Sequence, residues 1–516
     1  MCGVVGLIGS PEAAREAFLS LTTLQHRGQD AAGILTYDES GFHRVKNTGL
    51  VENVFTRENI DSLTGSMAVG HARYATIGKG DLVDVQPFLI NFPFGIGLVH
   101  NGNLVNYEQL AAELKTKRRH LLTHSDSEVL MNMLADGIAE AGTGNIFEDI
   151  CKSLNTIMTR VNGSYSVLTL IAEHGLLAFR DPYGIRPLVW GRRRARRAYP
   201  NADRESSLPT GESHMIASES VALNFNGYEI VKNLEPGEVL FIDLQGQVHS
   251  RVLRPPALKP GARHCMFEWV YFASPESVID QVPVYASRIQ LGKGLAKLIK
   301  QQIDSGRIAP DMVVPVPETS RIAAIALAEE LGLPYRETLI KNRYIKRTFI
   351  LDSDEKRRRA VNLKLSPVRS EIEGKSILLV DDSIVRGTTS RKLIELVRGS
   401  GARKVYFVST CPPIQNPCYY GIDFPSNEEL IAYNRTVDQV ERELGADAVI
   451  YLDHQGLRDA IKAAGNGVYA NKPCMACLDG DYPSDISEGR RFGTARSEDR
   501  KAAKTAGEKA GKGGAA

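Results

Sequence analysis

Seven cysteines in 516 residues are too few for a disulfide scaffold, which small secreted chains carry at far higher density. No run of about 18 consecutive apolar residues occurs, so a membrane span is excluded. Charge of one sign is not in surplus either: Lys plus Arg number 63 and Asp plus Glu 61, a formal net charge of +2. Nucleic acid as the main partner would call for a basic excess. The opening Met1-Cys2-Gly3-Val4-Val5 has no basic segment, and Pro11, Glu12 and Arg15 soon break its apolar run, so it is not a signal peptide. What remains is a reduced, cytoplasmic, multi-domain enzyme. Hydrophobic residues at 43% and charged residues at 24% suit more than one full core.

The first half mixes strands and helices. Strand-like runs are Gly3–Ile8, Ala32–Tyr37, Met67–Tyr74, Gly95–His100, Ser166–Ala172, Leu188–Gly191 and Glu238–Leu244. Helical spacing predicts helices over Pro11–Gln25, with Ser10 as N-cap, and over Asp126–Ala141 and Ile146–Arg160. Strands grouped with helices without regular alternation imply a layered α+β domain. The basic run Arg192–Arg197 reads as a solvated loop rather than a phosphate or RNA site. A proline-rich stretch from Arg254 to Gly261 marks a boundary. After it, the short apolar runs Met312–Pro315, Ser376–Val380, Lys404–Ser409 and Ala448–Leu452 alternate with helical patterns. That alternation predicts a parallel sheet with helices on both faces. Residues 488–516 hold no Leu, Ile or Val and read as a disordered tail.

Cys2 comes directly after the initiator Met1. Once Met1 is excised, one residue carries both a thiol and an α-amine, with ordinary pKa values of about 8.5 and about 7.7–8.0. Each can exchange a proton with the other during nucleophilic attack. Alone, Cys2 is an accidental second residue more often than a nucleophile. It comes, however, with His26-Arg27-Gly28-Gln29-Asp30, Gly70-His71-Ala72-Arg73-Tyr74, His100-Asn101-Gly102-Asn103 and Ser125-Asp126-Ser127-Glu128. This ordered set closely resembles the class II glutamine amidotransferases, which have the N-terminal-nucleophile (Ntn) hydrolase fold. The resemblance implies a glutaminase domain over residues 2–250, with Cys2 as nucleophile and Asn101 and Gly102 as oxyanion hole. It also implies Arg73 on the glutamine α-carboxylate, Asp126 on its α-ammonium, and Arg27 beside the nucleophile among the glutamine-binding residues. Only Met1 precedes Cys2, so removal of that methionine is the expected processing.

The second motif is Ile377-Leu378-Leu379-Val380-Asp381-Asp382-Ser383-Ile384-Val385-Arg386-Gly387-Thr388-Thr389-Ser390. An apolar strand ends in two carboxylates, and a short Gly- and hydroxyl-bearing loop opens a helix predicted over Arg391–Arg398. Helix N-terminal N–H groups favour phosphate, and paired acids suit ribose hydroxyls or a phosphate-bound Mg²⁺. The bland alternative, a capped strand–turn–helix, fits Asp-Asp alone but not the whole stretch. The motif resembles the PRPP signature of type I phosphoribosyltransferases, implying an α/β domain over residues 262–487. In that resemblance Asp381 and Asp382 hold ribose and help place Mg²⁺, and Ser383, Arg386, Gly387, Thr388 and Thr389 grip the 5-phosphate. Val313 to Ser320 resembles the pyrophosphate loop, with Thr319 at a Mg²⁺ position. Lys341 opens a basic, aromatic stretch to Ile350 that resembles the loop closing over PRPP.

Glutaminase followed by phosphoribosyltransferase in one chain resembles the glutamine phosphoribosylpyrophosphate amidotransferases (amidophosphoribosyltransferases). That resemblance implies the glycosyltransferase (pentosyltransferase) making 5-phosphoribosylamine, glutamate and pyrophosphate at the committing step of purine synthesis, with ammonia channelled inside the protein. It implies a homotetramer inhibited by purine nucleotides, and links Tyr74 and Tyr271 to coupling of the two sites. Cys265, Cys418, Cys474 and Cys477 lie in contexts resembling the iron–sulfur branch, which implies a [4Fe–4S] cluster; Zn²⁺ is the rival occupant, since spacing does not choose between them. Cys411 is the rival ligand to Cys418, and Cys151 reads as core. Ser274 stands where an arginine is commoner. Other glutamine amidotransferases share the front half but not the Val380–Ser390 signature, and a PRPP-responsive regulator would lack the glutaminase residues.

Overall fold

The computed structural model describes residues 1–74, 82–194, 207–254, 261–341 and 365–491, apart from 423, 425, 468, 470 and 471. The strand Gly3–Ile8 is buried along its whole length. Its alternate side chains serve two cores, because successive residues of a strand face opposite ways. Val4 and Ile8 pack with Leu35, Val69, Leu168 and Leu240, whereas Val5 and Leu7 pack under the helix Ala13–Thr23. That explains an apolar run with no polar alternation.

This strand is central in a seven-stranded antiparallel sheet, in the order Glu229–Asn233, Val189–Arg194, Glu212–Ala217, Gly3–Ile8, Met67–Arg73, Ala31–Asp38 and Gly41–Thr48. A six-stranded antiparallel sheet packs against it, in the order Val248–Val252, Glu238–Asp243, Gly175–Arg180, Gly163–Ile171, Ile96–Leu104 and Phe88–Ile90. The helices Tyr107–Thr116, Asp126–Ala141 and Ile146–Arg160 cover its outer face. The result is a helix–sheet–sheet–helix sandwich, the layered α+β domain that the sequence predicts.

The second domain is built on a parallel sheet ordered Met312–Pro315, Ser376–Asp381, Lys404–Ser409 and Ala448–Tyr451. Leu378 and Val380 join a core with residues of the helix Val284–Asp304. Ile377 and Leu379 face the other way, toward the helix Thr388–Gly399. Both faces are covered, as expected for parallel strands. Among the described residues no helix is long and apolar enough to cross a membrane.

Local expectations shift in four places. Ser10 is not the N-cap: its Oγ accepts from Glu12 N–H at 3.3 Å, a turn intervenes, and Glu12 caps a helix that starts at Ala13. The phosphate-motif helix begins three residues earlier than predicted, at Thr388. Arg192 to Arg194 end a strand rather than opening a loop; Arg193 pairs with Glu16 at 2.6 Å and lies over the Tyr228 ring. Residues 195–206 lie outside the described residues. Helical conformation runs to Arg491, and Gly489 packs so closely on Tyr419 that an added Cβ would stand 2.8 Å from the ring. The stretch read as tail therefore begins as packed structure, and its residues 492–516 lie outside the described set.

A buried ion pair joins the domains. The Arg180 guanidinium spans Asp280, with Nη1–Oδ1 at 2.7 Å and Nη2–Oδ2 at 2.9 Å. It also donates to the carbonyls of Arg186, Leu234 and Gly184. Removing one member of such a pair leaves a buried charge without its partner. Asp280→Asn keeps the shape, and asparagine tolerates the positive φ of 47° found there. We expect it to destabilise the protein by about 3 kcal/mol, read as a lower denaturant midpoint.

Candidate active sites

Cys2 stands at the start of the central strand. Met1 is buried, and burial pushes its amine down to about 6. Excision of Met1 would move the chain's amine to Cys2 N, which donates to Asn101 Oδ1 at 3.2 Å. Cys2 Sγ faces Tyr74 O at 3.9 Å. Asn101 lies in the strand Ile96–Leu104 of the other sheet, 1% exposed. Its Nδ2 is buried with no hydrogen-bond partner, and a buried donor left unpaired costs stability. Such a donor, on the same amide that accepts from Cys2 N, suits an oxyanion that exists only during a reaction. Gly102 has no room for a side chain, since a Cβ would lie 2.0 Å from Ser164 O.

Asp126 opens the helix Asp126–Ala141. Its Oδ2 accepts from Leu104 N–H at 3.0 Å, and its Oδ1 lies 3.7 Å from His100 Nδ1. Burial opposes charge on both, but each favours the other's charge: His100 is held above the ordinary histidine range and Asp126 below the ordinary aspartate range. Arg73 ends the strand Met67–Arg73, nearly buried. The loop at Gly28 packs on that strand end, where a Cβ would meet Ala72 O at 2.4 Å.

Arg27 departs from the expectation that grouped it with the glutamine ligands. Its Nε donates to Cys2 O at 3.0 Å. Nη1 donates to Glu219 Oε1 at 2.6 Å and Glu268 Oε2 at 2.9 Å, and Nη2 to Glu268 Oε1 at 2.9 Å. With these donors directed at protein acceptors, Arg27 holds the Cys2 backbone. Glu219 and Glu268, which the sequence does not single out, are the acids that hold Arg27. Glu268 opens Glu268-Trp269-Val270-Tyr271-Phe272, and an acid in so apolar a run signals a buried partner.

In the second domain the strand Ser376–Asp381 delivers Asp381 and Asp382 to the carboxyl edge of the sheet. Burial pushes both carboxyls up, and for Asp381 the neighbouring Asp382 charge adds to it. Ser383 Oγ donates to Asp382 Oδ1 at 2.7 Å. Two adjacent carboxyls whose charged forms are disfavoured fit a divalent cation, which would favour those charged forms. Gly387 precedes the helix Thr388–Gly399 with φ 73°; a Cβ there would meet Ile431 at 2.2 Å. Thr388 and Thr389 lie in the first turn of that helix, both exposed, with their N–H groups at its open end. Arg386 is turned to Glu429 at 2.9 Å on the exposed rim. The loop containing Thr319 comes after the adjacent strand, which pairs Pro315 with Val380. Lys341 ends the strand Leu339–Lys341, exposed; the rest of its expected loop, 342–350, lies outside the described residues.

Cys265, Cys418, Cys474 and Cys477 line one small cavity with Ile185, Tyr420 and other apolar residues. Cys265 and Cys474 pair as a backbone bridge. Gln415 and Asn416 N–H donate to Cys477 O at 3.0 and 2.9 Å, which carries the Cys418 segment to the pair. Cys411 is buried but does not line this cavity. Burial raises the Cys265 thiol to about 11 and pushes Cys474 and Cys477 up as well. Arg186 is the buried cation there, its Nη1 without a hydrogen-bond partner and its charge favoured by Cys265 and Cys418. The donor set fits a soft metal or an iron–sulfur cluster in kind. Among the described residues, however, no group of three or more His, Cys, Asp or Glu stands arranged to hold a metal ion.

The second domain adjoins the strand that carries Asn101 and Gly102. Asn103 Nδ2 donates to Tyr419 O at 2.8 Å, and Ser164 Oγ donates to Tyr420 O at 2.9 Å. A Cβ on Gly421 would lie 2.9 Å from Gly102 O, so the second domain presses on the expected oxyanion hole.

Comparison with known proteins reaches the same two halves. A family profile described as a glutamine amidotransferase domain matches residues 71–200, and one described as a phosphoribosyl transferase domain matches residues 287–422. The amidophosphoribosyltransferase of Pseudomonas aeruginosa is 42% identical, over 95% of this chain and 94% of its own length. That of Escherichia coli is also 42% identical, over 92% and 93%. Among solved structures, the glutamine PRPP amidotransferase of B. subtilis in complex with ADP and GMP superposes with a TM-score of 0.80 at 36% identity, over 94% of this chain and 98% of its own.

Proposed function

The chain belongs to the amidophosphoribosyltransferase family, and on that premise we propose how its own residues divide the family's reaction. It is a pentosyltransferase that aminates PRPP at the expense of glutamine in purine biosynthesis. The glutaminase half comprises residues 2–250 and the phosphoribosyltransferase half residues 262–487.

Cys2 thiolate attacks the glutamine side-chain amide, and the free α-amine of the same residue takes and returns the proton. Asn101 Nδ2 and Gly102 N–H receive the oxyanion. Arg73 holds the substrate's α-carboxylate through its guanidinium fork, and Asp126, kept charged beside His100, holds the α-ammonium. Ammonia leaves, and water releases glutamate. The ammonia crosses to C1 of PRPP, where the C–N bond forms as the bond to pyrophosphate breaks. Asp381 and Asp382 hold the ribose hydroxyls; Ser383, Gly387, Thr388 and Thr389 hold the 5-phosphate at the helix N-terminus. Asp381, Asp382 and Thr319 would hold Mg²⁺, which neutralises the departing pyrophosphate when bound. Lys341 lies at the root of the covering loop. Purine nucleotides act as feedback inhibitors of a cytoplasmic homotetramer, in keeping with the ADP and GMP bound to the B. subtilis relative.

One observation carries the glutaminase assignment: the buried, unpaired Asn101 Nδ2 beside the Cys2 nitrogen. The test is pyrophosphate release from anaerobically purified protein given PRPP, Mg²⁺ and glutamine, each omitted in turn. Release needs all three and comes with equimolar glutamate; release without glutamine or ammonia would sink the reading.

Cys265, Cys418, Cys474 and Cys477 hold a [4Fe–4S] cluster, in preference to Zn²⁺. Their common cavity and the Cys265–Cys474 bridge support this reading. The protein purified without oxygen should be brown, with a broad visible absorption and four irons per chain. Cys477→Ser should lose that absorption, whereas Cys411→Ser should keep it. Colourless protein with one zinc per chain would decide for Zn²⁺.

A further inference from the structure

The nucleophile is held from outside its own domain. Arg27 donates to Cys2 O, and the acid that grips both ends of its guanidinium is Glu268, 241 residues along the chain. Glu268 opens a π-helical turn, Glu268–Phe272, in which Ala273 N–H bonds Glu268 O at 3.0 Å. Turns of this kind are rare and recur at functional sites. The same turn is clamped at its far end. Arg288, 3% exposed on the helix Val284–Asp304, donates to Trp269 O at 3.1 Å, Tyr271 O at 3.1 Å and Ala273 O at 2.7 Å. Among the acids that favour the charge of this buried guanidinium, Asp382 contributes most, ahead of Glu219 and Glu276. Glu219 closes the bracket: its Oε1 accepts from Arg27, and its Oε2 accepts from Ser274 N–H at 2.8 Å and Ser277 Oγ at 2.7 Å. Ser274, where an arginine is commoner, thus contributes its backbone to the bracket, while its side chain turns away to Glu276.

We infer that Glu268 is a positioning residue for the Cys2 nucleophile, acting through Arg27, and that Arg288 sets the turn that places it. The inference rests on the assignment of Cys2 as nucleophile. A buried bidentate pair allows little lateral freedom, so the Cys2 backbone sits where the second domain puts it. Displacement of a reacting group by about 1 Å costs about 10²-fold in rate.

The experiment uses the full-length protein with Met1 removed. Glu268→Gln should lower kcat for glutamine hydrolysis by about 10²-fold with KM for glutamine little changed, and should slow alkylation of Cys2 by iodoacetamide to a similar degree. Synthesis from free ammonia reports whether the variant is folded and should persist. Glu268→Asp, which keeps the charge, should recover part of the loss. Arg288→Lys, which keeps charge but not three-carbonyl reach, should reproduce the kcat defect in milder form. Unchanged kcat and alkylation in folded Glu268→Gln would overturn the inference, as would a parallel loss of ammonia-dependent synthesis, which marks a structural role. The separate reading of Cys2 as nucleophile fails only if Cys2→Ala still hydrolyses glutamine.

Discussion

Cys2→Ala abolishes glutamine-dependent synthesis, by about 10⁶-fold, and leaves synthesis from free ammonia in place. The first half comes from removing the atom that forms the bond; without it neither Asn101 nor the α-amine has an intermediate to stabilise. The second half comes from where the substitution cuts. The contacts that join Cys2 to the second domain run through its carbonyl, which accepts from Arg27 Nε, and alanine keeps that carbonyl. Cys2 Sγ makes one long contact, to Tyr74 O at 3.9 Å, so its loss disturbs little packing. Asp381 and Asp382 sit at the edge of a different sheet and depend on none of these atoms. Pyrophosphate release with ammonia in place of glutamine measures the outcome directly. Loss of both activities in a folded variant would contradict the division of labour.

How far the sequence shows this depends on how local each device is. Cys2 and the pair Asp381–Asp382 are legible because their chemistry lies within one short motif at a strand end. The continuous apolar runs Gly3–Ile8 and Ser376–Val380 are legible because burial on both faces demands them. The bracket around Arg27 is not, because its partners come from 192 and 241 residues away; the apolar run after Glu268 signals that this acid has a buried partner but not which one. Arg180, Arg186 and Arg288 are hidden for the same reason: a long basic side chain reads as solvated until the fold supplies a carboxylate or a set of carbonyls. Ser10 fails as a cap because Pro11 and Glu12 form a turn first, a choice decided by Oγ bonding to Glu12 N–H and to Glu16. Arg193 leaves the expected loop because Glu16 and Tyr228 give it a partner in the sheet.

Asp382→Asn, with Asp381→Asn beside it, should lower PRPP-dependent synthesis by about 10³-fold from either glutamine or ammonia, the several kcal/mol that a charged metal-and-ribose clamp supplies. Hydrolysis of glutamine at Cys2 should survive. The same substitutions should stabilise the ligand-free protein. Burial, and for Asp381 the adjacent acid, raise both carboxyls above their ordinary range. A carboxyl whose pKa is higher folded than unfolded favours the fold below the unfolded value and loses that contribution as pH rises through the folded one. At neutral pH the pair therefore works against folding, and an uncharged amide removes the repulsion. Thermal unfolding at neutral pH, without Mg²⁺ or PRPP, should show both variants melting above the parent, and the gap should narrow as pH falls toward about 4, where the parent's carboxyls are protonated. Added Mg²⁺ with PRPP should raise the parent's melting point and leave the variants' nearly unmoved. Variants that melt below the parent at neutral pH would show that the two carboxylates hold the strand end together rather than waiting for a cation.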